Sequence, residues 1–287
     1  MSQAPPLKTP NPNALEQARA VLADLHARAD SGAPALRDGL ARLDALLAAA
    51  EAETEALRNE AADHASLIAH EVRLPLTSVR GYADMLRQGI AGELTDTQRQ
   101  FAAVIRDNAV RMEELINNIN DLSKLRAGRL KIDPKVALYR DVINAVENQV
   151  RPLADDKGHA LTFATPDDLP ALSADSARLS NALAKLVANA LLYTPEGAGE
   201  VTVAAASVDG ALRVTVADNG IGMSAEELSR LGEPFWRADH DLVRGQKGHG
   251  LGFAVAKGII ELHGGAVEAA SAPDAGTTVT VTLPESE

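Results

Sequence analysis

The segment "GHGLGFAVAKGIIELHGG", from Gly248 to Gly265, combines clustered glycines with an apolar run. Its glycines at positions 248, 250 and 252 precede an apolar segment, which predicts a glycine-rich turn that opens into a helix. Glycine lets a backbone approach a ligand closely, and a glycine-rich turn at a helix N-terminus is a common phosphate site. A lone "GLG" is weak evidence because such turns are widespread, so the neighbouring motifs decide its meaning.

A second glycine motif lies about 30 residues upstream, in "DNGIGM" from Asp218 to Met223. It follows "LRVTVA", whose alternation of apolar and polar residues predicts a strand. An ionised aspartate only accepts hydrogen bonds, so Asp218 can accept one from the exocyclic amine of adenine. Alone, Asp-Asn-Gly is equally consistent with an ordinary turn. Two glycine motifs together, one led by an aspartate after a strand, favour a nucleotide site.

Between the two motifs, "SAEELSRLGEPFWRADHDLVRGQKG" is too polar for a core and too long for a tight turn. Loops of this kind are usually lids or binding segments. Three of its basic residues are candidates for phosphate contact, with solvated surface charge as the alternative for each: Arg237, Arg244 and Lys247.

Far upstream, "IAHEVRLPLTSVRGY" places His70 beside Glu71 and puts Pro75 inside a predicted helix. A neutral imidazole is a nucleophile near physiological pH, and a carboxylate can fix the tautomer of a catalytic histidine. Proline has no amide hydrogen, so the carbonyl of Glu71 loses its helical partner and we expect the helix to bend there.

Apolar residues around this segment follow the seven-residue repeat of packed helices. Asn13 can cap a first helix, and "SGAP" at residues 31–34 ends it. A second seam includes His64, which we expect to be packed or partly wet. A third helix is predicted from about Thr97 to Arg126, capped by Thr95 or Asp96. Two such helices form a hairpin that cannot bury both faces alone, so we expect a homodimeric four-helix bundle. The second seam consists of Leu36, Leu40, Leu43, Leu47, Ala50, Thr54, Leu57, Ala61, His64 and Ile68.

After residue 128 the pattern changes to alternating strands with helices between them, which predicts an α/β sandwich. The predicted organisation is a multidomain α and α+β chain. It has a disordered tail (1–12), a helical coiled-coil region (13–60), a dimerisation and histidine phosphotransfer domain (61–128) and a catalytic ATP-binding domain (129–287).

Composition narrows the class of protein. The net charge of -12 argues against a general nucleic-acid binder. The absence of cysteine excludes disulfides, thiolate metal sites and cysteine nucleophiles. No apolar run approaches the roughly 18 residues of a membrane span, and no signal peptide opens the chain. We therefore expect a cytoplasmic protein.

Five motifs in order, "HEVRLPLT", "ANALLYTP", "DNGIGM", "EPFWRAD" and "GHGLGFAVAKGIIELHGG", resemble those of a bacterial two-component sensor histidine kinase. The resemblance covers Ala61 to Leu283. It implies dimerisation helices followed by a Bergerat-type ATP-binding domain. It also implies ATP and Mg²⁺ as ligands, and the receiver domain of a response regulator as the partner that takes phosphate on an aspartate.

Position by position, the resemblance implies that His70 is the phosphoacceptor and Glu71 its acid–base partner. Asn189 would help to bind Mg²⁺, Asp218 would recognise adenine, and Tyr193 would lie near the base. The pocket and the hinges of the lid would be shaped by Gly220, Gly222, Gly248, Gly250, Leu251 and Gly252.

Three positions depart from the family. Lys185 stands where the family usually has Asn, and Leu192 where it usually has Lys. Positions 185 and 192 are two helical turns apart on one face, so we hypothesise that Lys185 reaches the phosphates instead. Leu74 replaces the Thr or Asn that helps to orient a hydrolytic water, which predicts weak phosphatase activity.

Two alternatives to an active kinase remain. A catalytically weakened scaffold could bind nucleotide and a regulator without turnover, as the changes at Lys185 and Leu192 would suggest. Another ATPase of the same nucleotide fold, such as a topoisomerase, mismatch-repair or chaperone type, is remote, because those proteins lack the "HEVRLPLT" helix beside a dimerisation bundle.

Overall fold

The computed structural model describes residues 19, 20, 22, 34–166, 169–197, 199–246 and 248–285. The predicted tail, and most of the predicted first helix, lie outside these residues. The chain divides into two compact units, residues 1–64 and residues 65–287. One helix, α1 (Pro34–Arg87), runs through the boundary between them.

In the first unit, Leu22 and Leu40 are buried and Leu47 packs against them. Arg19 forms an ion pair with Glu51. Two other members of the predicted seam, Leu43 and Leu57, are exposed. His64, for which the seam predicts a packed or partly wet position, is exposed as well.

The second unit begins with a helical hairpin, formed by the later part of α1 and by α2 (Asp96–Arg126). Thr95 caps α2 with a capping box. Its hydroxyl accepts from the Gln98 amide at 3.3 Å, and its own amide donates to the Gln98 side chain at 2.9 Å. The predicted start of this helix is therefore confirmed. Helix α1 is continuous through Pro75, and a bend there stays a prediction.

The two helices of the hairpin pack through small side chains and leave larger ones exposed. On α1, Ala69, Leu76 and Ala83 are buried at seven-residue spacing, and on α2 Ala102 and Ala109 are buried. Large exposed apolar side chains on a helical hairpin favour a further helix partner. The exposed set includes Ile68, Leu74, Tyr82, Met85, Phe101, Val104, Ile105, Met112 and Ile119.

A sheet domain follows, which we define as the described residues from 129 to 285. Its elements are β1 (Lys135–Leu138), α3 (Tyr139–Lys157), β2 (Ala160–Ala164), β3 (Ala171–Ala174), α4 (Ser176–Leu192), β4 (Glu200–Val208), β5 (Ala211–Asp218), α5 (Ala225–Ser229), α6 (Asp241–Gly245), α7 (Gly252–Leu262), β6 (Ala266–Ser271) and β7 (Thr277–Pro284). The main sheet has the strand order β2-β4-β5-β7-β6, with β2 parallel to β4 and the other neighbours antiparallel. A separate antiparallel pair joins β1 to β3.

Alternate residues of the strands form the core of this domain. Leu212, Val214 and Val216 of β5 are buried while Arg213 between them is exposed. This buried face packs against α3, α4 and α7, whose apolar residues belong to the same core. The arrangement confirms the predicted α/β sandwich and leaves the C-terminal end of β5, at Asp218, beside helix α4.

Candidate nucleotide site and phosphoacceptor helix

A cavity of about 180 Å³ lies between α4, the end of β5 and the segment that joins α5 to α7. We call the described residues of this segment, from 230 to 251, the lid. Seven of the residues predicted for nucleotide binding line it: Asn189, Tyr193, Asp218, Gly222, Arg237, Gly248 and Gly250. Gly220, Leu251, Gly252 and Lys185 are not among its lining residues, and Lys247 lies outside the described residues. The structure therefore brings both glycine motifs to one cavity, as the sequence predicted.

Asp218 is held by backbone amides on one side of its carboxylate. Its Oδ1 accepts from the amide of Gly220 at 2.9 Å and from the amide of Thr277 at 3.1 Å. Burial raises the pKa of Asp218, and these two hydrogen bonds oppose the rise. Among the described residues no protein donor contacts Oδ2, so that oxygen is available to a donor on a ligand in the cavity.

Glycines allow the chain to close around Asp218. Gly276 has a φ of 78°, and a Cβ there would lie 1.9 Å from the carbonyl oxygen of Asp218. A Cβ on Gly222 would lie 1.8 Å from the carbonyl oxygen of Ala272. The sequence reasoning missed Gly276 and Thr277, because a single glycine before a strand carries little information by itself.

Arg237 organises the lid rather than only facing the cavity. Its guanidinium donates to the carbonyls of Gln246 and Gly248, both at 2.8 Å, and to that of Val243. Its buried Nε has no acceptor among the described residues. Arg244, by contrast, is exposed, forms ion pairs with Asp239 and Asp241, and does not line the cavity.

The glycine-rich turn leads into α7 as expected. Helix α7 begins at Gly252, and the preceding Leu251 is buried. Gly248 and Gly250 line the cavity just before that helix, and the amide of Phe235 donates to the Gly250 carbonyl at 3.0 Å. Leu251 and Gly252 therefore support the turn without lining the cavity themselves.

Helix α4 presents different residues to the cavity and to the hairpin. Asn189, Leu192 and Tyr193 line the cavity. The ammonium of Lys185 instead donates to Oδ1 of Asn118 on α2 at 2.9 Å, so this arrangement does not support the hypothesis that Lys185 reaches the phosphates. No cluster of three or more His, Asp or Glu side chains that could hold a metal occurs within the described part of the chain.

His70 and Glu71 are exposed on α1. Leu74, one turn further along α1, is exposed as well. No hairpin residue is among those that line the cavity, so the structure keeps the predicted phosphoacceptor apart from the nucleotide site. Among the described residues, no helix is both long enough and apolar enough to span a membrane.

The chain thus joins a helical hairpin that carries an exposed histidine to an α/β sandwich with a candidate nucleotide cavity. Comparison with protein families assigns the same two parts. Residues 60–128 match the His Kinase A (phospho-acceptor) domain, and residues 174–287 match the Histidine kinase-, DNA gyrase B-, and HSP90-like ATPase family. The chain belongs to the two-component histidine kinases.

Two curated relatives and one solved structure agree with this membership, and a second solved structure agrees with the fold. An uncharacterised sensor-like histidine kinase of Rhizobium meliloti is 35% identical over 85% of this chain and 46% of its own length. The histidine protein kinase DivJ of Caulobacter vibrioides is 36% identical over 82% of this chain and 39% of its own. The chain thus spans less than half the length of either relative.

The crystal structure of full-length ShkA in complex with AMPPNP is 27% identical, with a TM-score of 0.64 over 78% of this chain and 46% of that one. The histidine kinase AdeS of Acinetobacter baumannii is 19% identical, with a TM-score of 0.53 over 76% of this chain and 98% of that one, which shows the fold alone.

Proposed function

We propose that this chain uses ATP to phosphorylate His70 and passes the phosphoryl group to an aspartate of a response-regulator receiver domain. The observation that carries the proposal is the pairing, in one chain, of an accessible His70–Glu71 pair with a cavity that contains Asp218. The complex of the similar ShkA with AMPPNP supports ATP as the substrate.

In this reaction the unprotonated ring nitrogen of His70 attacks the γ-phosphorus of ATP. A nitrogen–phosphorus bond forms, the bond to the β,γ-bridging oxygen breaks, and ADP leaves with that electron pair. Glu71 accepts a hydrogen bond from the other ring nitrogen, which fixes the tautomer and stabilises the positive charge that develops on the ring. Phosphoryl transfer of this kind depends mainly on positioning and on charge neutralisation.

The cavity residues position the nucleotide. Oδ2 of Asp218 accepts from the adenine amine, Tyr193 lies beside the base, and Gly248 and Gly250 allow close approach of the backbone to the phosphates. Arg237 lines the cavity, and its positive charge would favour the phosphates of a bound nucleotide. The amide oxygen of Asn189 would hold Mg²⁺, which neutralises phosphate charge when it is bound.

The exposed apolar side chains of the hairpin support a homodimer, in which two hairpins form a four-helix bundle. A cytoplasmic location stays a prediction. Leu74, whose side chain cannot hydrogen-bond a water, supports weak phosphatase activity towards the regulator.

The test is transfer of label from γ-phosphate-labelled ATP to the protein. We expect acid-labile, base-stable label on the wild type and on His64→Gln, a control at another exposed histidine of the same helix. We expect no label on His70→Gln. Label that persists in His70→Gln would refute the assignment of the phosphoacceptor.

The scaffold alternative rests on two observations. The apolar Leu192 lines the cavity, and Lys185 donates to Asn118 on α2 and does not line the cavity. Nucleotide binding by the wild type without any label on histidine, across a range of Mg²⁺ concentrations, would favour the scaffold.

A further inference from the structure

Two basic side chains of α4 contact the hairpin rather than the nucleotide cavity. Lys185 donates to Oδ1 of Asn118 at 2.9 Å, and Arg178 lies 3.9 Å from Oδ1 of Asp121. The two basic residues are seven apart on α4, and their partners are three apart on α2. Each pair therefore lies on one face of its helix, and the contacts form a short ladder between the sheet domain and α2.

The charges on the two helices are complementary. Burial lowers the pKa of Lys185, and the acidic Glu114 and Asp121 of α2 counteract this effect. Burial raises the pKa of Asp121, and Arg178 is the first of several cations that oppose the rise. An ammonium that is partly removed from water needs a polar partner. Asn118, between two acids on the same helix face, supplies that partner.

A close apolar contact extends the ladder. Leu125, one turn beyond Asp121 on α2, packs against Gly258 of α7, where a Cβ would lie 2.7 Å from Leu125 Cδ1. The absence of a side chain at Gly258 therefore lets α2 approach the sheet domain, and both α4 and α7 contact the same helix.

The ladder lies at the level of the phosphoacceptor. Asn117 accepts from Arg73 at 2.9 Å, and Asn120 accepts from Ser66 at 2.9 Å. These two contacts bracket the α1 segment that contains His70. The sheet domain is thus fastened to the hairpin beside His70, while no hairpin residue lines the nucleotide cavity.

We propose that Lys185, supported by Arg178, latches the sheet domain onto α2 in a resting arrangement that must open before phosphate can reach His70. This inference rests on the proposed kinase function. Lys185 is then a residue that limits the rate of phosphorylation, and not one that binds phosphate.

The first test compares Lys185→Met and Asn118→Leu, which remove either side of the hydrogen bond, with Lys131→Met, a control at an exposed lysine of the sheet domain. We expect both latch variants to label His70 roughly two- to tenfold faster, the range that one hydrogen bond controls. We expect the double variant to be no faster than either single variant and the affinity for ATP to be unchanged. A slower Lys185→Met protein with weaker ATP binding would instead assign Lys185 to the phosphates and overturn the latch.

The second test uses the absence of cysteine from the chain. The double variant Asn118→Cys/Lys185→Cys is joined with a short bis-methanethiosulfonate reagent, which a reductant cleaves. The cross-linked protein should bind ATP but lose labelling of His70, and the reductant should restore it. Undiminished labelling of the cross-linked protein would overturn the latch. A wild type that never labels His70 would instead refute the proposed function itself, so the two failures are distinct.

Discussion

Oδ1 of Asp218, at the end of β5, accepts a hydrogen bond of 3.1 Å from the backbone amide of Thr277. Thr277 lies 59 positions later in the sequence, at the start of β7. The same oxygen, Oδ1, accepts the amide of Gly220 at 2.9 Å. The fold therefore uses one carboxylate oxygen to hold two chain segments together and leaves Oδ2 for the ligand. Under the proposed function, Oδ1 would have the structural role and Oδ2 the binding role.

This division predicts the outcome of Asp218→Asn. The amide oxygen can still accept from Gly220 and Thr277, but the NH₂ group replaces the acceptor that adenine needs. We expect ATP affinity to fall by at least about tenfold, because the lost hydrogen bond involves a charged group and a second donor then faces the adenine amine. Isothermal titration with a non-hydrolysable ATP analogue measures this loss.

The same variant should not lower stability. Burial raises the pKa of Asp218 in the folded state, so the protonated carboxyl favours folding below its unfolded pKa, and that contribution is lost as pH rises through the folded pKa. At pH 7 the buried charge therefore costs stability that Asn does not. We expect a Tm equal to or above that of the wild type at pH 7, and a smaller difference near pH 4. A lower Tm at pH 7 would show that the charge itself supports the fold.

Gly276→Ala should damage both stability and binding, with Gly210→Ala as its control. The two glycines have nearly the same φ, 78° and 75°, so an alanine costs each about 1–2 kcal/mol of conformational strain. A Cβ at position 276 also meets the Asp218 carbonyl at 1.9 Å, whereas a Cβ at position 210 meets nothing within 4 Å. Urea unfolding should show a larger loss for Gly276→Ala, together with weaker ATP binding. Equal losses would show that the backbone relaxes around the clash.

Arg237→Met should loosen the lid, because it removes donors to three lid carbonyls. Arg244→Met is the control, since Arg244 forms ion pairs only with side chains of the lid among the described residues. Hydrogen exchange of residues 243–246 and 248 should become faster in Arg237→Met and remain nearly unchanged in Arg244→Met. Equal protection in the two variants would show that the lid does not depend on Arg237.

Exposed apolar residues of α2 should hold the dimer together. Ile105→Glu and Met112→Glu place charges on side chains that are now exposed in the single chain, and burying such a charge is costly. Light scattering should show monomers for these variants and dimers for the wild type. Val136→Glu, at an exposed position of β1, should leave the dimer intact, and dimers of the α2 variants would contradict the predicted interface.

Local patterns predicted the start of α2 and the strand before Asp218 correctly, and long-range contacts account for what they missed. The cap at Thr95 and the strand before Asp218 depend on neighbouring residues, so the sequence contained the necessary information. The direction in which the side chain of Lys185 points depends on its hydrogen bond to Asn118, which lies 67 positions away in the sequence. Lys185 and Leu192 share one face of α4, but two helical turns, about 10 Å along the helix axis, separate them. Leu192 therefore lines the cavity while the long side chain of Lys185 contacts α2.

Leu74→Thr should separate the two reactions proposed for His70. Leu74 lies one turn after His70, and its exposed side chain offers no hydrogen bond to a water. The resemblance to histidine kinases implies that a hydroxyl at this position orients the water that hydrolyses the phosphorylated regulator. We therefore expect Leu74→Thr to speed dephosphorylation of a labelled cognate regulator several-fold and to leave the labelling of His70 nearly unchanged. Val79→Thr adds a hydroxyl at another exposed position of α1 and should change neither rate. If the wild type already dephosphorylates the regulator as fast as Leu74→Thr does, the leucine does not restrain hydrolysis, and the predicted bias towards phosphate transfer is wrong.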